Sequence, residues 1–538
     1  ACTGLKTVTI NENSKLQRIG KSAFNSCTSL KSIYIPNTVS NTTFVNEQTA
    51  QEYAIGADAF ANSGLTTITF AMGGTGDLSI ARGAFTGSMI TSITLPNRVA
   101  PIYTNVDGNW ATYDGISINC FTTGLRSINV SKGPNKAELN GPFAEINIEA
   151  GGEHYASQSG VLYRVKDGVP NEMMFVPTAK TGSITVPKTV TLLAKNCAKN
   201  SFVSEIIWED AEDVNGLPLT IGDGALNGMQ NLKVVRFPER TVEIGADMFS
   251  NSNSSEKVGS TYVLEQEYSK VEEVYIPANV EKIGAKMFYF CVTINTVTFA
   301  DGCKITEIPE NMFCTADATK TMGNKMTSIR IPANVEKINS GAFRGCKTLT
   351  SFTFEQGSKL RKLTGNTFEG MTLTEFTVPD SVTDIDGQVF YGMKSLKILN
   401  LPVGISSIST MGNNNQSNFL FANCTALEAV NIPEENQHFK SVDGVVFTKD
   451  GKSLIYFPVN KNVGELVQGS TTTYDGKYTT PAGCQTIATY AFQNNKKLKE
   501  LTISADLLFI NSYAFNASTV NKLTFAERTS TLKIGDYA

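Results

Sequence analysis

Leu30-Lys31-Ser32-Ile33-Tyr34-Ile35 has large apolar residues at its first, fourth and sixth positions, and mostly polar residues at the second and third. The same six-residue phrase occurs seventeen times in the 538-residue chain, for example at 65–70, 396–401 and 498–503. Its second half alternates apolar and polar residues, which predicts a short strand with one buried face. A phrase that recurs every ~20–35 residues indicates stacked repeat units rather than a closed globule.

The fullest unit runs from Ile19 to Val39 and adds further fixed positions to the phrase. These positions are Ile19-Gly20, Ala23-Phe24, Cys27 and Pro36. Proline cannot donate to a strand ladder, so we expect each strand to end there. We expect the short Ala-Phe segment to form one helical turn that inserts phenylalanine into the core. A single unit cannot bury its apolar face, so neighbouring units must stack.

The pattern Leu-x-x-Ile-x-Ile-Pro-x-x-Val-x-x-Ile-Gly-x-x-Ala-Phe-x-x-Cys resembles the BspA-like leucine-rich repeats of bacterial and some protist surface proteins. The resemblance covers nearly the whole chain. It implies an α/β-type, right-handed leucine-rich-repeat solenoid dominated by short stacked parallel strands, with short helical turns. The uninterrupted repeats predict one continuous solenoid over 1–538. Both ends fall in mid-repeat, so we expect an excerpt of a longer protein.

Two blocks depart from the standard unit in the same way, at about 150–190 and 436–484. Asp167-Gly168 and Asp450-Gly451 lie between apolar alternations, which predicts a hairpin in each block. The two histidines of the chain, His154 and His438, occupy equivalent slots in the blocks. One interpretation is that they are catalytic or metal-binding groups, and the other is that they fill a duplicated structural position. Neither histidine has a cysteine, aspartate or glutamate at metal-ligand spacing, which favours the structural interpretation.

Composition excludes several classes of function. The chain has 46 basic and 50 acidic residues, a net charge of −4, and no basic stripe, which argues against nucleic acid as a partner. The sequence contains no run of 18 apolar residues, so it predicts no membrane-spanning helix. Five of the ten cysteines share one repeat column, so we expect mostly buried free thiols rather than disulfides.

No motif in the chain predicts catalysis or a resident cofactor. Phosphate-binding loops and catalytic triads are missing from the sequence. Asp380, Asp384 and Asp386 only partly match a calcium-binding loop, because this sequence lacks the glutamate that such a loop has at its twelfth position. We therefore predict a non-enzymatic protein without a bound metal or cofactor.

The fifth residue of each phrase should point away from the core, and most are short and polar. In order they are Thr9, Tyr34, Thr69, Thr94, Asn129, Asn147, Ile207, Arg236, Tyr275, Thr298, Arg330, Thr353, Thr377, Asn400, Asn431, Thr502 and Thr524. Threonine pairs stabilise neighbouring strands, which is the structural interpretation of this row. Tyrosine and arginine are typical of binding hot spots, so Tyr34, Arg236, Tyr275 and Arg330 are candidate ligand-binding residues.

A second candidate lies in the polar insertion 103–115, which contains Tyr103, Trp110 and Tyr113. This aromatic trio either stacks on a sugar ring, docks on a protein, or packs on itself as a structural loop.

The family resemblance implies a cell-surface or secreted bacterial protein that adheres to a host or microbial protein through the solenoid face. The polar row and the aromatic loop leave two alternatives: a glycan-binding module for polysaccharide capture, or a passive surface spacer.

Overall fold

A computed structural model describes residues 1–41, 53–81, 83–100, 143–209, 212–213, 215–251, 269–316, 323–408 and 420–538, and the backbone alone of four further strands. The chain divides into two compact units. The first comprises 1–249 with 253–271, and the second comprises 250–252 with 272–538. The continuity of the solenoid over 1–538 stays a prediction.

The described residues form short strands throughout, numbered here along the chain. They are β1 (Ser32–Ile35), β2 (Thr67–Phe70), β3 (Ser92–Leu95), β4 (Ile102–Val106), β5 (Asn109–Tyr113), β6 (Glu145–Ile148), β7 (Tyr155–Gln158), β8 (Val161–Lys166), β9 (Val169–Phe175), β10 (Thr181–Val186), β11 (Leu192–Leu193), β12 (Phe202–Trp208), β13 (Leu219–Ile221), β14 (Val234–Arg236), β15 (Thr241–Ile244), β16 (Ser255–Val258), β17 (Thr261–Leu264), β18 (Glu273–Ile276), β19 (Lys282–Ile283), β20 (Thr296–Phe299), β21 (Glu307–Ile308), β22 (Ser328–Ile331), β23 (Lys337–Ile338), β24 (Ser351–Phe354), β25 (Lys362–Leu363), β26 (Glu375–Thr377), β27 (Asp384–Ile385), β28 (Ile398–Asn400), β29 (Ala429–Asn431), β30 (Phe439–Val442), β31 (Val445–Thr448), β32 (Ser453–Tyr456), β33 (Lys477–Thr479), β34 (Thr486–Ile487), β35 (Glu500–Ile503), β36 (Phe509–Ile510), β37 (Lys522–Phe525) and β38 (Lys533–Ile534).

The six-residue phrases form parallel strands that stack into a first column, which we call the phrase sheet. Its paired strands are β1-β2, β3-β6 and β10-β12 in the first unit, and β18-β20, β22-β24, β26-β28-β29 and β33-β35-β37 in the second. Ile33 and Ile35 are buried and Ser32 is exposed, as the alternation predicts. Thr9 lies outside any strand, and Asn129 lies outside the described residues. The phrase did not predict β10 and β33, which also belong to this column.

The Ile-Gly positions form a second parallel column, the Ile-Gly sheet, which the sequence reasoning did not anticipate. Its runs are β9-β11-β13-β15 in the first unit, and β21-β23-β25-β27 and β32-β34-β36-β38 in the second. The glycine of this slot permits a close approach of backbones. A Cβ at Gly56 would lie 2.5 Å from the Lys21 nitrogen, and one at Gly245 would lie 2.5 Å from the Asp223 nitrogen.

The Ala-Phe segments form a third column of stacked turns, and the predicted helical turns are wrong. The described residues contain no helix. In the first unit Ser22 and Ser26 have φ values of 54° and 57°, so two left-handed residues four apart interrupt any helix. The Phe24 N–H donates instead to the Ala59 carbonyl of the next repeat, at 2.7 Å. Each turn is therefore hydrogen-bonded to its neighbour along the stack.

Phenylalanines of the turn column pack face to face within the core. Phe24 and Phe60 have ring centroids 5.3 Å apart and nearly parallel planes. In the second unit Phe288 stacks on Phe313 at 5.2 Å, and Phe313 stacks on Phe343 at 5.1 Å. The prediction that phenylalanine fills the core is confirmed. Stacking between neighbouring repeats supplies the burial that a single repeat lacks.

The two variant blocks are confirmed as antiparallel hairpins. The first comprises β7-β8-β9 and the second β30-β31-β32. Asp167 and Gly168 both have positive φ, which is the two-residue turn that their sequence predicts. In the second block that geometry occurs at Asp443-Gly444 instead, and Asp450-Gly451 lies in the longer turn before β32.

The described cysteines are free, and all except Cys2 are buried. The Cys346 thiol lies 3.3 Å from the Phe313 carbonyl, to which it donates, and Cys424 donates to Phe390 at 3.1 Å. Burial raises the pKa of Cys291 to about 11 and the pKa of Cys346 and Cys424 to about 12. These side chains act as small core residues, as the column position predicts. Cys120 lies outside the described residues.

We predict that a Cys120→Ser variant shows one fast thiol, Cys2, when it is treated with an aromatic disulfide reagent at pH 8. The other eight thiols should react only on unfolding, because the thiolate is the reactive form and burial disfavours it. The raised pKa of Cys291, Cys346 and Cys424 also means that these three thiols contribute stability below their unfolded pKa and lose it as pH rises through their folded pKa. Adding Cys2→Ser should remove the fast phase, and a second fast thiol would contradict the buried column.

Candidate binding surface

The outward row of the phrase sheet is hydrogen-bonded to itself in the middle of the second unit. Asn400 Nδ2 donates to Thr377 Oγ1 at 2.9 Å, and Asn431 Nδ2 donates to Asn400 Oδ1 at 2.8 Å. Strand register sets Thr377 beside Asn400 and Asn400 beside Asn431. These three positions therefore support the structural interpretation, in which short polar residues stabilise adjacent strands.

Arg330 connects three neighbouring repeats on the outer face. Its guanidinium lies 2.9 Å from an Asp301 carboxylate oxygen and 2.7 Å from a Glu355 oxygen. The second Glu355 oxygen accepts the Ala333 N–H at 2.8 Å. The Arg330 side chain is still 57% exposed, so it presents charged and apolar surface while being held in one position.

The other predicted contact residues occupy the same row. Tyr275 lies in β18 beside Thr298, and Tyr34 lies in β1 beside Thr69; both tyrosines are half-buried. Arg236 lies in β14 with an exposed side chain. Tyr275 and Arg330 belong to the second unit, whereas Arg236 belongs to the first. The ligand-binding role of all four residues stays a prediction.

The antiparallel strands β4 and β5 fall in the insertion 103–115, where the sequence predicted a loop. Tyr103 pairs with Thr112, Trp110 pairs with Asn105, and Tyr113 pairs with Ile102. The side chains of this aromatic trio lie outside the described residues.

The phrase sheet is interrupted between β2 and β3 in the first unit, and between β20 and β22 and between β24 and β26 in the second. No backbone hydrogen bond joins β24 to β26 in the described structure, although β24 pairs with β22 and β26 pairs with β28. A cleft of about 750 Å³ lies between β24 and β26, and we call it the β24–β26 cleft. It is lined by Thr350–Glu355, Gly357, Ser358, Leu373, Glu375–Thr377 and Pro379–Ser381. The sequence reasoning did not find this feature.

Two consecutive phenylalanines distinguish the β24–β26 level from the other interruptions of the sheet. The inward fourth position of the phrase is aliphatic in fifteen of the seventeen repeats, but it is Phe352 and then Phe376 here. Phe352 packs edge-on against Phe343 at 4.9 Å, and Phe376 lies 4.7 Å from Phe368. The Phe343–Phe368 spacing is stretched to 6.1 Å. The Phe352 and Phe376 rings lie 5.6 Å apart, so two bulky side chains occupy the space that aliphatic residues fill at other levels.

The structure offers no group of side chains suited to metal chemistry in the part of the chain that it describes. His154 and His438 play equivalent backbone roles: the His154 carbonyl accepts the Val165 N–H, and the His438 carbonyl accepts the Lys449 N–H, each at 2.8 Å. This equivalence supports the duplicated structural position. Within the described ranges, no helix is long and apolar enough to cross a bilayer.

Stacked parallel strands with an exposed polar row define a leucine-rich-repeat protein with an extended outer face. The family model for the BspA type leucine rich repeat region matches six times, at 1–51, 49–136, 171–262, 217–320, 321–442 and 476–538. The chain therefore belongs to the BspA type leucine-rich-repeat family, and the sequence resemblance is confirmed.

Three solved structures are similar to this chain. The pneumococcal vaccine antigen PcpA is 20% identical, with 70% of this chain and 71% of that chain covered and a TM-score of 0.34. A leucine rich cell surface protein from Faecalibacterium prausnitzii A2-165 is 17% identical, with 69% and 76% covered and a TM-score of 0.36. A leucine-rich repeat protein from Bacteroides ovatus ATCC 8483 is 17% identical, with 73% and 83% covered and a TM-score of 0.40. No curated protein matches the sequence.

Proposed function

We propose that this chain is a non-enzymatic bacterial surface or secreted protein that binds another protein through the outer face of the phrase sheet. The observation that carries the proposal is the presence of Tyr275 and Arg330 on this face of the second unit, in a row that is otherwise mostly threonine and asparagine. Their size and hydrogen-bonding capacity distinguish them from neighbours that serve the strands.

Physical features of the row support protein binding. Tyrosine and arginine supply much of the binding energy at protein interfaces. Arg330 is held by Asp301 and Glu355, so less side-chain entropy is lost when a partner contacts it. Repeat proteins also present extended surfaces without reshaping a core. Adhesion to a host or microbial protein is the role in which such a face would serve a surface protein.

The test uses an array of extracellular-matrix proteins and glycans probed with the whole chain. We expect saturable binding to a protein, and at least a ~10-fold loss of affinity for the Tyr275→Thr/Arg330→Thr variant, since two central contacts are removed. Threonine is the residue that neighbouring repeats use, so the strand ladder is retained. Phe509→Thr is the matched control, because it removes a large exposed residue from the Ile-Gly sheet.

Three results would contradict this proposal. Equal binding by the double variant would exclude the Tyr275–Arg330 surface. Binding to a glycan alone would favour polysaccharide capture, and a Trp110→Ala variant would then show whether the β4–β5 hairpin carries it. Binding to neither class would leave a surface spacer.

A further inference from the structure

We propose that the β24–β26 cleft binds an extended peptide segment, with alternating basic and aliphatic side chains, as an additional strand of the phrase sheet. This site adjoins the Tyr275–Arg330 surface through the Arg330–Glu355 ion pair, but the inference does not require that surface to bind anything. Its occupant is defined by three properties of the cleft: its backbone edges, its floor and its charge.

The backbone edges of the cleft present unpaired hydrogen-bonding groups. In a parallel ladder, alternate residues direct both their N–H and C=O groups to the same side. The Ser351 N–H donates to the Thr327 carbonyl and the Glu355 N–H donates to the Ile331 carbonyl, both on the β22 side. The residues between them, Phe352 and Phe354, therefore direct their backbone groups towards the cleft. On the opposite edge the Val378 N–H donates to Asn400, which leaves Glu375 and Thr377 facing the cleft.

Two facing strand edges suit an extended peptide better than a compact ligand. Strand edges with unpaired groups are templates for strand addition. A peptide inserted here pairs with β24 on one side and with β26 on the other, so it uses both edges at once. The Ser381 hydroxyl, which also lines the cleft, is buried without a hydrogen-bond partner among the described residues.

The floor of the cleft is apolar and accessible. Phe352 and Phe354 are half-buried, whereas the equivalent residues of β22, Ile329 and Ile331, are 4% and 0% exposed. Inward side chains of an added strand would contact these two rings, and aliphatic residues would complete their burial. The alternation of a strand then places every second peptide residue on this floor.

The outer rim of the cleft is acidic. Glu375 and Asp380 are exposed, and neither forms an ion pair with any lysine or arginine that the structure describes. Glu355 also lines the cleft, but Arg330 offsets its charge. The lining contains no basic residue. Outward side chains of the added strand therefore meet uncompensated negative charge, which favours lysine or arginine at those positions.

The cleft is preformed because the other two columns remain joined behind it. In the Ile-Gly sheet Lys362 pairs with Asp384 and Leu363 pairs with Ile385. In the turn column the Phe368 N–H donates to the Val389 carbonyl at 3.0 Å. A peptide would therefore enter an existing opening, and little of its binding energy would be spent on separating strands.

The test measures binding of a blocked heptapeptide that alternates lysine and valine, using the whole chain at 150 mM salt. A second peptide carries N-methyl groups on one valine amide and one lysine amide, which removes a backbone donor towards each strand edge and retains the side chains. We expect the first peptide to bind at one site. The methylated peptide should bind at least ~10-fold more weakly, because it loses two backbone hydrogen bonds to the cleft edges.

The test variant is Glu375→Lys/Asp380→Lys, which reverses the charge of the cleft rim. Glu500→Lys is the control. Glu500 occupies the same phrase position as Glu375, but its strand β35 is paired on both sides, with β33 and β37. Charge reversal at the cleft should lower affinity at least ~10-fold, and Glu500→Lys should change it less than ~2-fold.

Equal binding of the two peptides would show surface charge attraction and overturn the proposal. The same holds if neither peptide binds, or if charge reversal at the cleft has no effect. Tyr275→Thr/Arg330→Thr should retain substantial peptide binding, so the two proposals fail independently. Displacement of the peptide by a neutral oligosaccharide would assign the cleft to glycans instead.

Discussion

Replacing Phe343 by alanine is expected to lower the local free energy of unfolding by about 3–5 kcal/mol. Phe343 is fully buried and contacts rings on both sides along the turn column, Phe313 at 5.1 Å and Phe368 at 6.1 Å. It also supports Phe352 of the phrase sheet edge-on at 4.9 Å. Its removal leaves a cavity between two columns, and the hydrogen-bonded turns on either side limit how far the site can collapse.

The measurement is urea-dependent hydrogen exchange of peptides covering 338–346, followed by mass spectrometry. Tryptophan fluorescence is unsuitable, because Trp110 and Trp208 both belong to the first unit. Phe509→Ala is the control, since that ring is 41% exposed and should cost less than about 1 kcal/mol. A loss below 1 kcal/mol for Phe343→Ala would contradict the role of the ring stack.

Replacing Asn436 by alanine should be nearly as damaging, with a loss of about 3 kcal/mol or more from orphaned backbone groups. Asn436 is fully buried. Its Nδ2 donates to the Val403 and Ile405 carbonyls, both at 2.8 Å. Its Oδ1 accepts the N–H groups of His438 and Phe439 at 2.8 and 2.7 Å. The side chain thus joins the start of the second hairpin block to the preceding repeat.

An Asn436→Asp variant separates hydrogen bonding from shape. A carboxylate cannot donate to the two carbonyls, and burial beside them should raise its pKa above the unfolded value. The variant should therefore lose stability as pH rises through that range, which wild type should not. Asn431→Ala, in the exposed row, should cost less than about 1 kcal/mol by the same exchange measurement on peptides covering 436–448. Equal losses for Asn431 and Asn436 would refute the account.

Local patterns were sufficient to predict most of the phrase strands, the prolines that end them and the two hairpin blocks. Alternation over four to six residues and an Asp-Gly turn are short-range signals, as β1 and Asp167-Gly168 illustrate. The cysteine column was also predictable, because a small apolar residue recurred at one slot.

Hydrogen bonds between neighbouring repeats explain the structural features that the sequence did not predict. A two-residue strand such as β23 has too few residues to show a period, and it exists because β21 and β25 flank it. The Ala-Phe segment suggested a helical turn, but residues such as Lys286 and Tyr490 adopt positive φ there to satisfy the neighbouring turn. Asn436 resembled any loop asparagine until its four partners were located.

The binding surface was only partly predictable. The outward position of Arg330 followed from the phrase, but its carboxylate partners come from loops 29 and 25 residues away. Phenylalanine in place of an aliphatic residue at 352 and 376 is visible in the sequence. The β24–β26 cleft beside these residues was not predictable, because it also depends on how their rings pack against the neighbouring ring stack. Which outward residues bind a partner stays a prediction, as does the role of Tyr34, Arg236, Tyr103, Trp110 and Tyr113.

The most direct test of the central claim is hydroxyl-radical footprinting of the whole chain, alone and with the protein that it captures on the array. Binding through the outer face of the phrase sheet predicts that oxidation of Tyr275 falls on complex formation. Oxidation of Phe509 on the Ile-Gly sheet and of Tyr513 on the turn column should stay unchanged. Protection of Phe509 or Tyr513, with Tyr275 unaffected, would contradict the claim and place the interface on another column.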